Sequence, residues 1–195
     1  AFIRRQGVDH HQAEDFTQGF FEFAIERSVI QRARKEKGRF RSFLLAALKN
    51  YLINLHDRAT AAKRGGAHQF VSLDDSRCGD LPDPNSANDS RDFDHAWAVA
   101  LIGQVMDGLA DDYARHGQAE VHRVLRPHLA SEPSREDFER AAAALGVSVN
   151  AVQVALIRLR RRFGKLLRAE VAHTVAGPED IEEEIRHLMA VLAEG

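Results

Sequence analysis

Apolar residues recur at spacings of three and four over most of the chain, and no segment shows the apolar-polar alternation between turns that marks a half-buried strand. The pattern predicts an all-α protein. A first helical block is expected from about residue 13 to 32, where Phe16, Phe20 and Phe23 or Ala24 share a face that Phe21 and Ile25 widen. Lys37-Gly38 interrupts it. A second block, from about 39 to 62, carries a broad stripe of Phe40, Phe43, Leu44, Ala47, Leu48, Tyr51, Leu52 and Leu55, and Gly65-Gly66 ends it. With Phe2 and Ile3, these blocks suggest one small helical unit over residues 1–66. Residues 67–91 shift to Asp, Pro, Ser, Asn and Gly, as in CGDLPDPNSANDS, a composition that cannot bury a core and is expected to be a linker. A second helical unit, 92–172, begins with AWAVALIGQVMDGLADDY, continues with a helix near 120 to 129, and ends in a pair at 135 to 145 and 148 to about 171. A tail helix is expected in 173–195, after Pro178.

Composition adds bounds. At 195 residues and 44% hydrophobic, the chain can bury a core, and it holds no apolar run near the roughly 18 residues that cross a bilayer. No basic segment followed by an apolar run opens it and Cys78 is its one cysteine, so the expectation is a soluble, cytosolic protein without a disulfide framework. The opening AFIRR already looks like helix interior, which suggests a fragment or a processed chain.

The formal net charge of -2 averages over opposed segments. Residues 32 to 64 hold ten basic side chains against two acids, whereas 74 to 94 hold seven acids against two bases. Residues 156 to 168 then carry six bases and no acid, and 178 to 195 carry six acids against Arg186 alone.

The sharpest local signal is SREDFERAAAALG followed by VSVNAVQVALIRLRRRF. Ser134 is placed to cap a helix with Asp137 three residues on, Gly146 suits a turn that needs positive φ, and Ser148 caps the next helix. On that helix Val149, Val152, Leu156, Leu159 and Phe163 form one buried face. The opposite face begins small or polar at Asn150, Ala151, Gln153 and Val154 with Ile157, then turns basic at Arg158, Arg160, Arg161 and Arg162. Such a helix suits a major groove at its start and phosphates along its basic part. An amphipathic packing helix with a solvated basic face is the alternative.

The order of elements resembles the extracytoplasmic-function group of the sigma-70 family, the bacterial RNA polymerase sigma factors. QAEDFTQGFFEFAIE at 12 to 26 is similar to the family's region 2 helix that docks on core polymerase, which implies Glu14, Asp15, Gln18, Phe20 and Phe21 as docking residues. GRFRSFLLAALKNYLINLHDRATAAKRGG at 38 to 66 resembles the segment that melts and reads the minus-10 element, and it implies contacts from Arg39, Arg41, Lys49, Asn50, Asn54, Arg58, Lys63 and Arg64. Residues 135 to 168 resemble region 4, the minus-35 reader, and imply Ser148, Asn150, Ala151, Gln153, Val154, Arg158, Arg160, Arg161 and Arg162. The likeness covers nearly all of 1 to 172. In the family the acidic connection runs through the polymerase cleft; a plain tether fits the same residues. Phe16, Phe20 and Phe23 also read as core, and Tyr51 as either a core aromatic or a platform for an unstacked base.

Departures from the family pattern are visible. Gln153 stands where a basic residue is common, Val149 and Ile157 replace polar residues, and Gly19 replaces a common glutamate of the docking helix. The tail GPEDIEEEIRHLMAVLAEG puts Ile181, Ile185, Leu188 and Leu192 on one face, suited to covering the basic helix, packing on region 2 or simply capping the fold.

Enzyme chemistry finds no setting. The ten histidines lack a metal-ligand spacing, Cys78 lacks a CxxC partner, and neither a phosphate-binding nor a calcium loop is present, so no metal or cofactor is expected. The resemblance implies a non-enzymatic sigma factor that works with core RNA polymerase and promoter DNA, under an anti-sigma factor or other regulator. The rival readings are a helix-turn-helix regulator that acts without polymerase, and a sigma-like interaction protein that touches no DNA.

Overall fold

The computed structural model describes residues 3, 8–30, 39–64 and 86–194, with the backbone alone described for 58–64 and 86–89. The described residues are all-α. In chain order the helices are α1 (His10–Glu26), α2 (Phe40–Arg64), α3 (Ser86–Arg115), α4 (Ala119–Leu125), α5 (Arg135–Leu145), α6 (Val149–Ala172) and α7 (Ile181–Ala193), with 3-10 turns at Arg126–His128 and Pro178–Asp180. No single helix among the described residues is long and apolar enough to cross a membrane.

Two compact units form: Ala1–Ala98 with Thr174–Gly195, and Val99–His173. The expected partition shifts at both ends. The tail belongs with the first unit, and the expected linker is shortened, because α3 is already helical at Ser86 and packs Phe93 on the first unit's core. The remainder of that linker, 67–85, lies outside the described residues, Cys78 included.

In the first unit α1 and α2 pack through Ala13, Phe20, Ala24, Val29, Leu45, Ala47 and Leu48, with Phe16, Phe23 and Tyr51 half-buried against them. Tyr51 is thus a core aromatic, its ring 5.7 Å from Phe20 and 5.5 Å from Phe23. Gly19 has a packing reason: a Cβ there would meet the Tyr51 hydroxyl at 2.5 Å, so a larger residue would have to displace the Tyr51 ring.

α1 stops at Glu26, earlier than the apolar pattern suggests. Ser28 takes a left-handed conformation (φ 53°), its N–H bonds the Ile25 carbonyl, and the Val29 N–H returns to Ala24 at 2.9 Å. This is a Schellman stop, and burying Val29 at its end stabilises it. Glycine usually holds that position, so the serine hides the signal.

The second unit packs Leu109 and Tyr113 of α3 against Leu125, Ala141, Ala142, Val152, Leu156 and Leu159. Ser134 caps α5 in a reciprocal box with Asp137, whose carboxyl the Ser134 backbone N–H and hydroxyl hold below its ordinary range. Gly146 closes α5 at φ 65°, where an L side chain would be strained.

Candidate nucleic-acid interface

α5 and α6 meet at 97° across Gly146, Val147 and Ser148, within the range of helix-turn-helix pairs. Ser148 caps α6 by accepting the Ala151 N–H at 3.2 Å. Val152, Leu156 and Leu159 then face the core, each at most 3% exposed. Their spacing turns Asn150, Ala151, Gln153, Val154, Ile157 and Arg158 outward, all exposed together with Ser148. Val154 at 39% and Ile157 at 50% leave apolar surface in water next to the amides of Asn150 and Gln153. Val147 extends this patch at the turn.

The arginine run divides in two. Arg158 and Arg161 are exposed and share a strip with Lys165, three and then four residues on. Arg160 and Arg162, both expected on DNA, turn inward instead. Arg160 donates to the carbonyls of Ser131 at 2.5 Å and His128 at 3.1 Å, stitching the segment after the 3-10 turn onto α6. Arg162 donates to both oxygens of Asp112, at 2.8 and 2.9 Å, and ties α6 to α3. The hydrogen bond from Arg162 holds the Asp112 carboxyl below its ordinary pKa. Arg162 gives Nε and Nη2 to one carboxylate and Arg160 turns Nη2 onto two backbone carbonyls, so both guanidiniums are engaged within the fold and these two arginines build the unit. Lys165 lies outside the arginine run, and its spacing from Arg158 and Arg161 is the sequence signal that joins it to the strip.

In the first unit Arg41 is the clearest correction. It is 6% exposed, donating to Asp94 of α3 and, at 3.1 Å, to Glu184 of α7. Burial opposes its charge, but the bonds to Glu184 and Asp94 outweigh burial and raise its pKa above the ordinary arginine value. Arg39 is half-buried and pairs with Glu183 and Glu184. Lys49, Asn50 and Asn54 are partly exposed along α2. The side chains of Arg58, Lys63 and Arg64 lie outside the described residues.

Phe20, expected on a partner, is 3% exposed and fills the core instead. Glu14, Asp15, Gln18 and Phe21 are exposed. Phe21 at 49% and Ile25 at 73% form an apolar end to a strip that starts at Glu14 and passes Gln18, which donates to Glu22 at 3.0 Å. Ile25 was not among the expected docking residues; its position four beyond Phe21 on this acidic side was the available signal.

Among the described residues no group of three metal-capable side chains converges. Comparison with protein-family models, with curated proteins and with solved structures returned no match, and the candidate interface therefore stands on its own residues.

Proposed function

We propose that this protein is an alternative sigma factor of the extracytoplasmic-function type, which carries core RNA polymerase to a promoter in the cytoplasm and leaves catalysis to the polymerase. The observation that carries the reading is the outward face of α6: Asn150, Ala151, Gln153, Val154 and Ile157 stand beside the exposed cations Arg158, Arg161 and Lys165 on a helix set at 97° to α5. In this reading the first group enters the major groove at minus-35 and the second grips phosphate.

The strip on α1 favours a sigma factor over a regulator that works alone. Exposed Phe21 and Ile25 beside Glu14, Asp15 and Gln18 offer an amphipathic ridge to a basic, partly apolar helix of a large partner. Lys49, Asn50 and Asn54, with Arg58, Lys63 and Arg64, are the proposed minus-10 contacts. An anti-sigma factor or other regulator is the proposed control on the whole.

A gel shift with and without core polymerase tests this. The reading expects weak binding of promoter DNA by the protein alone and a specific complex once polymerase is added. Tight operator binding by the protein alone, unaffected by polymerase, would establish the stand-alone regulator instead.

A further inference from the structure

The first turn of α2 poses an electrostatic problem. Unpaired N–H groups and the aligned peptide dipoles favour acid at a helix N-terminus. Here Arg39 precedes the helix, Arg41 stands in its first turn, and that turn holds no acid. The C-terminal segment supplies what α2 lacks. The Thr174 carbonyl accepts the Phe40 N–H at 2.9 Å. Glu184 Oε1 accepts Arg41 Nε at 3.1 Å while its Oε2 lies 3.0 Å from Arg39 Nε, and Glu183 Oε1 takes Arg39 Nη2 at 2.5 Å. Asp94 holds the far arm of Arg41, and His187 Nε2 lies 3.0 Å from the other Asp94 oxygen.

Two layers can be told apart by burial. Glu184 and Arg41 are at most 6% exposed, and a buried charge is tolerable only with its partners in place. The outer pair is different: the Arg39 side chain is 29% exposed and that of Glu183 60%, within reach of a competing anion. α7 does not depend on that pair for its seat, because Leu188 and Val191 are buried and anchor it, as Val175 does the segment leading to it.

We propose that α7 is an acidic clamp built into the chain, whose carboxylates occupy Arg39 and Arg41 in place of phosphate oxygens and withhold them from nucleic acid. Carboxylate and phosphate compete for the same guanidinium prongs. Glu183 is the exchangeable half of the clamp and Glu184 its fixed half. The clamp lowers the affinity of this unit for polyanion while α7 stays docked. The inference rests on reading α2 as a nucleic-acid contact.

The test is binding of a fluorescent, mixed-sequence single-stranded oligonucleotide to the full chain, measured from about 50 to 200 mM salt, the span over which phosphate contacts separate most clearly. Glu183→Gln is expected to tighten binding at low salt and to steepen the slope of log K against log salt by about 0.7, the value for one added phosphate contact on a single strand. Glu179→Gln removes the same charge from the same segment and controls for net charge, so the expectation is a smaller gain with the native slope. Adding Arg39→Gln to Glu183→Gln should return the slope to native. A Glu183→Gln slope equal to that of Glu179→Gln, or one that Arg39→Gln leaves steep, overturns the clamp. Because no polymerase is present, that failure is separate from failure of the sigma-factor reading, which is judged by promoter-specific binding with polymerase.

Discussion

Arg162 of α6 holds Asp112 of α3 by both carboxylate oxygens, at 2.8 and 2.9 Å, while its neighbour Arg161 points into solvent. Adjacent arginines in one run therefore have opposite work. Arg162→Ala is expected to lower the thermal midpoint, because it removes both short hydrogen bonds from a carboxylate that is 8% exposed and leaves it the longer contacts to Arg115 at 3.6 Å and His116 at 3.9 Å. Arg161→Ala is expected to leave the midpoint within error but to weaken promoter binding and reduce the salt slope by about one. Thermal unfolding and salt-dependent binding of the two variants check the division; an Arg162→Ala protein of native stability would refute it.

The helical classes and most boundaries in the second unit were legible in the sequence. Ser134, Gly146 and Ser148 are the residue types that caps and left-handed turns demand, and each stands where the structure uses it. What the sequence hid follows from physical causes. Ser28 does the work of a glycine, so the apolar pattern runs past the end of α1 without a stop signal. The inward turn of Arg160 and Arg162 depends on Ser131 and Asp112, distant in sequence, and a charge run carries no mark of which members have partners. Glu184 is buried at 1% on the face that apolar periodicity assigned to Ile181, Ile185, Leu188 and Leu192. A hint lies in the two arginines at the start of α2, whose first turn holds no acid.

Ser28→Gly should stabilise the first unit by about 1 kcal/mol, the cost an L residue pays in the left-handed region. Urea unfolding measures it. A loss of stability would mean that the Ser28 side chain contributes more than its backbone costs.

Gly19 gives the opposite sign. In an exposed helix Gly→Ala gains about 1 kcal/mol, but the Cβ at Gly19 would press on a Tyr51 ring held by Phe20 and Phe23. Gly19→Ala is expected to cost about 1 to 3 kcal/mol through overpacking. The same unfolding measurement decides, and a gain would show that α1 can slide on α2.

Stability of the second unit should fall as solutions become mildly acid. His122 is buried beside Tyr113, its Nε2 has no hydrogen-bond partner among the described residues, and desolvation, helped by Arg126, lowers its pKa below 6.5. The unfolded chain therefore takes up a proton at pH 6.5 that the folded chain refuses, and stability declines from there toward the lowered folded value. Asp112 adds a second, more acid loss. Its carboxylate bond to Arg162 contributes fully above 3.8 and is lost as pH falls from there through the lowered folded value. Unfolding midpoints followed by pH should show both limbs, and His122→Phe should remove the first. A midpoint flat from neutral pH to 5 would contradict the His122 assignment.

The most direct test is run-off transcription with purified bacterial core polymerase and this protein, mapped across genomic DNA. The account predicts transcripts starting at a small set of promoters that polymerase alone does not use, lost when Phe21 and Ile25 are both replaced by Ser or when Arg158 and Arg161 are replaced by Ala. Failure of the folded protein to bind core polymerase or to direct any new start site would contradict it.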